Sequence, residues 1–169
     1  MHDTITGPVF QEMLIFGAAS IAKEKQSIND LNVFPVPDGD TGTNMSLTMH
    51  AAAQELQKRS PATVDLASSI TASALLRGAR GNSGAIMAQF LYGLAEHARN
   101  APALDAQTLA DAVRRGADSA RSALAHPVEG TILSVITAFA DALEEAARLH
   151  AADPQGGFST ALQRARSAL

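Results

Sequence analysis

Cysteine and tryptophan do not occur in this chain of 169 residues. Without thiols there is no disulfide and no thiolate metal site. Aromatic residues make up 4% of the chain and apolar residues 46%. The apolar content is therefore mostly Ala, Leu, Ile and Val, which pack helices closely, and the expected fold class is all-α. No basic run stands out. Arg77, Arg80 and the Arg114–Arg115 pair are too thin for a nucleic-acid footprint in a chain of formal net charge −4. No stretch reaches the ~20 apolar residues of a membrane span, so no membrane insertion is expected. Met1-His2-Asp3-Thr4 lacks the basic region and apolar run of a signal peptide. The expectation is a soluble, cytoplasmic protein forming a single domain over residues 1–169.

Apolar spacing predicts a first helix over residues 8–27, with Pro8 in its first turn and Phe10, Met13, Leu14, Gly17 and Ile21 at intervals of three and four. A second, about 44–58, carries Met45, Met49, Ala52 and Leu56 on one face. A third, about 63–77, turns Leu66, Ile70 and Ala74 inward. A fourth starts near Asn82 or Ser83 with Ile86, Phe90 and Leu94. A fifth, about 106–124, has Leu109, Val113, Ala117, Ala120 and Leu124. A sixth, about 129–150, has Ile132, Ile136, Phe139 and Leu143. Residues 153–157 read as a turn, and a last helix begins near Phe158 and is still running at Leu169. No stop signal follows it, so the chain is expected to be a piece of a longer protein.

Residues 28–44 break the helical pattern with prolines, glycines and three aspartates. Asp30, Asp38 and Asp40 would repel one another unless a cation neutralised them. Oxygen ligands without His or Cys select a hard cation: Mg²⁺, Mn²⁺ or Ca²⁺. An EF-hand is excluded, because counting from Asp38 puts Thr43 at the obligatory glycine and Met49 at the bidentate glutamate. Pro35 and Pro37 stiffen the loop, and Gly39 and Gly42 allow positive φ or the close approach of a ligand. Thr41-Gly42-Thr43-Asn44 leads straight into a helix, where free N–H groups and the helix dipole favour an anion. The plainer alternative is a solvated turn with a capped helix.

A second Gly-rich helix start, Gly78-Ala-Arg-Gly81-Asn82-Ser83-Gly84, is not a Walker loop, for no Gly-Lys-Ser/Thr occurs. Close helix contact through small residues is its alternative reading. Glu129-Gly130-Thr131 opens the sixth helix in a third such start. Together the three suggest helix N-termini converging on a polyanion. His2, His50, His97, His126 and His150 have no metal-ligand spacing and read as surface or ordinary helix positions.

The run from Asn32-Val-Phe-Pro-Val-Pro-Asp38 to Met45, then Arg77-Gly-Ala-Arg-Gly-Asn-Ser-Gly84 and Glu129-Gly-Thr131, resembles the kinase domain of bacterial fatty acid kinase. That domain is related to the ADP-binding L subunit of dihydroxyacetone kinase. The resemblance extends from about residue 8 to the end of the chain. It implies an antiparallel helical barrel or bundle with ATP or ADP at one end. It implies two Mg²⁺ ions on Asp30, Asp38 and Asp40, with Asp38 and Asp40 catalytic. It implies nucleotide contacts from Thr43, Asn44, Ser46, Gly81, Asn82, Ser83 and Thr131. The implied reaction moves the γ-phosphoryl of ATP to the carboxylate of a fatty acid held by a separate fatty-acid-binding protein. The acyl phosphate formed serves phospholipid synthesis. The related L subunits carry Asp-His-Gly where this chain has Asp40-Thr41-Gly42, which favours the fatty acid branch over dihydroxyacetone. The related barrel has eight helices, so the closing helix is expected to be absent here, along with downstream domains used for dimerisation and partner docking. A non-catalytic nucleotide-binding module is the rival from another class.

Overall fold

The computed structural model describes residues 4–33, 37–149 and 154–167. Its elements in chain order are β1 (Ile5–Thr6), α1 (Gly7–Asp30), α2 (Thr41–Gln57), α3 (Val64–Gly78), α4 (Gly81–His97), β2 (Ala103–Leu104), α5 (Ala106–Ser122), α6 (Ile132–Leu149) and α7 (Pro154–Ser167). The fold is all-α, with helices antiparallel to their chain neighbours. α1 packs on α2 and so on through α6 on α7, with further contacts between α1 and α3 and between α2 and α4. The only sheet among the described residues is one antiparallel ladder of β1 on β2, with Ile5 opposite Leu104 and Thr6 opposite Ala103.

Local sequence explains the helix starts. Pro8 pre-sets the first turn of α1. Thr63 caps α3 by accepting the Leu66 N–H at 3.3 Å, with Asp65 in the first turn and Arg77 in the last to match the helix dipole. Asp105 and Thr108 form a reciprocal capping box on α5, at 2.8 and 2.9 Å.

The core is largely alanine, with Leu56, Val64, Leu75 and Leu104 wholly or almost wholly buried among alanines such as Ala52, Ala67, Ala110 and Ala140. Small side chains let the helices approach closely, so few aromatics are needed to fill the interior. The buried hydroxyls of Ser68 and Thr71 donate back to Asp65 O and Ala67 O, so neither is stranded. Arg114 on α5 spans to Glu144 and Asp141 on α6, and Arg164 on α7 pairs with Glu145.

Four boundaries differ from the sequence reading. α1 continues to Asp30, because the Leu31 N–H bonds Ser27 O and Gln26 Nε2 donates to Asp30 Oδ1 at 2.8 Å. Asp30 is therefore the last residue of a helix rather than part of the loop. α2 begins at Thr41, three residues before Asn44, and α6 begins at Ile132. α7 starts at Pro154, where a turn was expected, since proline suits a first helical position. Leu66 also fails to turn inward. It is 48% exposed, while Val64, Ala67, Thr71, Ala74 and Leu75 fill the buried face. Small residues carry that face, so the apolar stripe was ambiguous. His50, His97 and His126 are exposed as expected, and His2 and His150 lie outside the described residues.

Candidate functional site

The end of α1 and the start of α2 are joined by two asparagines. Asn29 Oδ1 accepts the Thr43 N–H at 3.1 Å, and Asn29 Nδ2 donates to Thr43 Oγ1 at 3.0 Å. Asn32 Oδ1 accepts the Thr41 N–H at 3.2 Å and also the Thr41 hydroxyl. An amide side chain both donates and accepts, which a carboxylate here could not do. The N–H groups of Thr41 and Thr43, expected to be free, are thus taken up by Asn32 just past α1 and by Asn29 in its last turn. Because Thr43 Oγ1 accepts from Asn29, its own proton remains available to donate outward.

Gly42 is helical and buried, and its role is contact with α1: a Cβ there would lie 2.2 Å from Lys25 O. The positive φ belongs to Gly39, at 65°.

The second Gly-rich start lies directly against the first. Gly81 has φ 59°, and a Cβ on it would lie 2.5 Å from Asn44 Nδ2. One helical turn on, the buried Thr48 hydroxyl donates to Asn44 O at 2.7 Å and accepts the Arg80 N–H at 3.0 Å. Gly84 makes room for that hydroxyl, since a Cβ would stand 2.3 Å from it. Thr43, Asn44 and Ser46 in the first turns of α2 and Ser83 in the first turn of α4 are half-buried, while Gly81 and Asn82 are exposed.

The third start shares the same end of the bundle. Ile86 of α4, Ala120 of α5 and Leu133 of α6 form a small apolar cluster. Thr131 closes its own turn, donating to Val128 O at 2.8 Å and accepting the Leu133 N–H at 3.3 Å. Glu129 is held by Arg121 at 2.7 Å and by the Ser134 hydroxyl at 2.7 Å. These bonds, the Ser134 one foremost, keep its carboxyl below the usual range. The α2 and α4 starts therefore meet, and the α6 start stands beside them, its hydroxyl used within its own turn.

Asp30, Asp38 and Asp40 are all exposed. Asp38 and Asp40 form no ion pair among the described residues. No group of three or more His, Asp or Glu side chains is drawn together into a metal cage among those residues, and residues 34–36 between the aspartates lie outside them. The exposed carboxylates offer the oxygen-only, water-accessible donors that a hydrated hard cation takes, while the adjoining helix starts favour an anion such as phosphate beside it. Asn29, Asn32 and Thr48 hold the two helix starts in place and had no assigned role in the sequence reading. The Asn-x-x-Asn spacing before a proline-rich loop was the visible signal for the two asparagines, and Thr48 in mid-helix had none. Arg80 is exposed and its Nη1 turns back to Ala79 O at 3.3 Å.

The family model of the DAK2 domain matches residues 35–169. Protein YloV of Bacillus subtilis (strain 168) is 41% identical over 132 residues, 78% of this chain and 24% of that protein. Uncharacterized protein SH1689 of Staphylococcus haemolyticus (strain JCSC1435) is 39% identical over 135 residues, 80% of this chain and 24% of its own length. The chain thus spans about a quarter of the length of the curated relatives it matches. The chain belongs to the DAK2 domain family, nucleotide-binding modules related to components of dihydroxyacetone kinase.

Proposed function

We propose that this chain is the ATP-binding domain of a kinase that phosphorylates the carboxylate of a fatty acid presented by a separate fatty-acid-binding protein in the cytoplasm. The observation that carries this reading is the meeting of two helix starts. Gly81 lies on the Asn44 amide, with exposed Asp38 and Asp40 on the adjoining loop. Thr43, Asn44, Ser46, Asn82 and Ser83 would donate to phosphate oxygens, helped by the dipoles of α2 and α4. Thr131 would close the nucleotide end from the α6 side. Asp30, Asp38 and Asp40 would hold Mg²⁺, which when bound offsets the charge of the triphosphate. The acceptor carboxylate is already ionised at neutral pH, so the chain needs no general base. A new bond forms between that carboxylate oxygen and the γ-phosphorus as the bond to the ADP oxygen breaks. An acyl phosphate and ADP result, with no net proton transfer. Positioning and charge neutralisation are the whole contribution of the protein.

The polar lock on Thr41 supports the fatty acid branch over dihydroxyacetone. Its N–H and hydroxyl are both engaged by Asn32, where the related L subunits carry a histidine. Dimerisation and docking of the acyl-carrying partner would fall to domains outside this chain. Calorimetry with ADP and Mg²⁺ tests the site: Asp38→Ala and Asp40→Ala are each expected to abolish binding with the melting temperature unchanged. Undiminished affinity in both would refute the assignment. A transfer assay with the acyl-loaded partner against dihydroxyacetone separates the substrates, and nucleotide binding without any transfer would identify a non-catalytic module.

A further inference from the structure

A groove of about 300 Å³ runs along the outer seam of α2 and α3, lined by Glu55, Arg59, Ser69, Ile70, Ser73 and Arg77. It is separate from the helix-start junction: the seam closes between them, where a Cβ on Gly78 would lie 2.6 Å from Ala51 Cβ.

On α3, Ser69, Ser73 and Arg77 are spaced by four, so one helix face presents two exposed hydroxyls and a guanidinium. Arg59 faces them from just beyond the end of α2. Neither Arg59 nor Arg77 forms an ion pair among the described residues, whereas Arg99, Arg114, Arg121 and Arg164 all do. Glu55 pairs with Lys58 at 2.9 Å and is also attracted by Arg59 and Arg77, so one carboxylate faces two guanidinium groups and an ammonium and the groove keeps a net positive charge. Two carbonyls at this end, one in the last turn of α2 and one just past it, also accept a side-chain hydrogen bond. Gln11 Nε2 donates to Leu56 O at 2.7 Å and to Arg59 O at 3.0 Å. A cationic groove in a chain of net charge −4 is local by construction rather than a reflection of overall charge.

We propose that the α2–α3 groove binds the phosphate of a phosphomonoester. Two guanidinium forks and two hydroxyls supply more donors than a single carboxylate can accept, and they match the charge and the three terminal oxygens of a phosphomonoester. The volume suits a small molecule, with Ile70 giving a patch of apolar floor. The phosphate can come from a dissolved metabolite or from a lipid headgroup.

The test is a ¹⁵N NMR titration of the 169-residue chain with inorganic phosphate, against sodium chloride at matched ionic strength. Saturable shifts at the Ser69, Ser73 and Arg77 amides are expected, with Kd on the order of 1 mM. Arg77→Gln and Arg59→Gln, both exposed and expected to leave the chain folded with at most a small drop in melting temperature for Arg77→Gln, should each raise Kd at least tenfold. Sedimentation with phosphatidylcholine vesicles, with and without phosphatidic acid, separates the sources. Binding only with phosphatidic acid, lost in Arg77→Gln, assigns a lipid headgroup, and saturation by dissolved phosphate without vesicle binding assigns a free metabolite. Equal shifts with chloride, or a Kd unmoved by both arginine variants, overturn the proposal. Asp38→Ala should leave the groove titration intact, so failure at the nucleotide site and failure here are read separately.

Discussion

The backbone N–H of Arg80 donates to the hydroxyl of Thr48 at 3.0 Å, across 32 residues of chain. Thr48 is fully buried and passes the contact on to Asn44 O at 2.7 Å. The hydroxyl therefore sets the start of α4 in register with the start of α2. Thr48→Val keeps the shape but strands the Arg80 N–H, and should cost about 1–3 kcal/mol in urea denaturation. Thr48→Ser should recover most of that. If ADP affinity falls in the valine variant and returns in the serine variant, the latch supports the site as well as the fold.

Asn29 satisfies both the N–H and the hydroxyl oxygen of Thr43. Asn29→Ala removes an N-terminal cap supplied from another helix, and a loss of about 1 kcal/mol is expected from thermal melts. Asn29→Asp is the sharper probe. A carboxylate can still accept the N–H but cannot donate to Thr43 Oγ1, so nucleotide affinity should drop more than stability does.

Gly81→Ala meets two obstacles, the left-handed φ of 59° and the Asn44 amide 2.5 Å from the new Cβ. The backbone strain alone is worth about 1–3 kcal/mol. Adding Asn44→Ala relieves the contact and leaves the φ. Partial rescue of the melting temperature in the double variant is therefore expected, and full rescue would show that the contact alone is responsible.

Arg114 ties α5 to α6 through Glu144, at 3.1 and 2.9 Å. Its hydrogen bond holds the Glu144 carboxyl below the ordinary value, and the glutamate in turn raises the guanidinium. A carboxyl with a depressed pKa in the folded state contributes stability above its unfolded pKa, which is lost as pH falls through the folded one. Glu144→Gln should therefore be less stable than the parent at pH 7. The two should converge as pH falls from about 5 to 3, by roughly 1 kcal/mol at most for a pair this accessible to water. Urea midpoints at pH 7, 5 and 3 check the sign.

Much of the candidate site could be read from the chain because its residues are local to one another. Asp38, Asp40 and the Thr41–Asn44 run are contiguous, and Gly81, Asn82 and Ser83 announce a helix start through residue types that only a cap or a close approach requires. The inward faces of α2, α4 and α5 were likewise visible in the spacing of Met49, Leu56, Leu94 and Val113, all buried. Leu66 misled because α3 buries alanine, serine and threonine instead. Those residues carry no strong apolar signal, so the side of a helix they occupy depends on what packs against it.

Residue types and their spacing by themselves determined that this protein is all-α, that three Gly-rich helix starts exist, and that exposed aspartates sit on the loop before one of them. These are properties of a residue and its neighbours within one or two turns. Only the tertiary structure decided which starts meet. It placed Asn44 beneath Gly81, turned Asn29 and Asn32 onto the first turn of α2, and left Thr131 bonded within its own turn. The physical reason is that a helix-start N–H takes whichever acceptor is carried to it. In this fold the last turn of α1 and the residues just after it deliver two asparagine side chains there, an outcome of helix packing that no local pattern encodes.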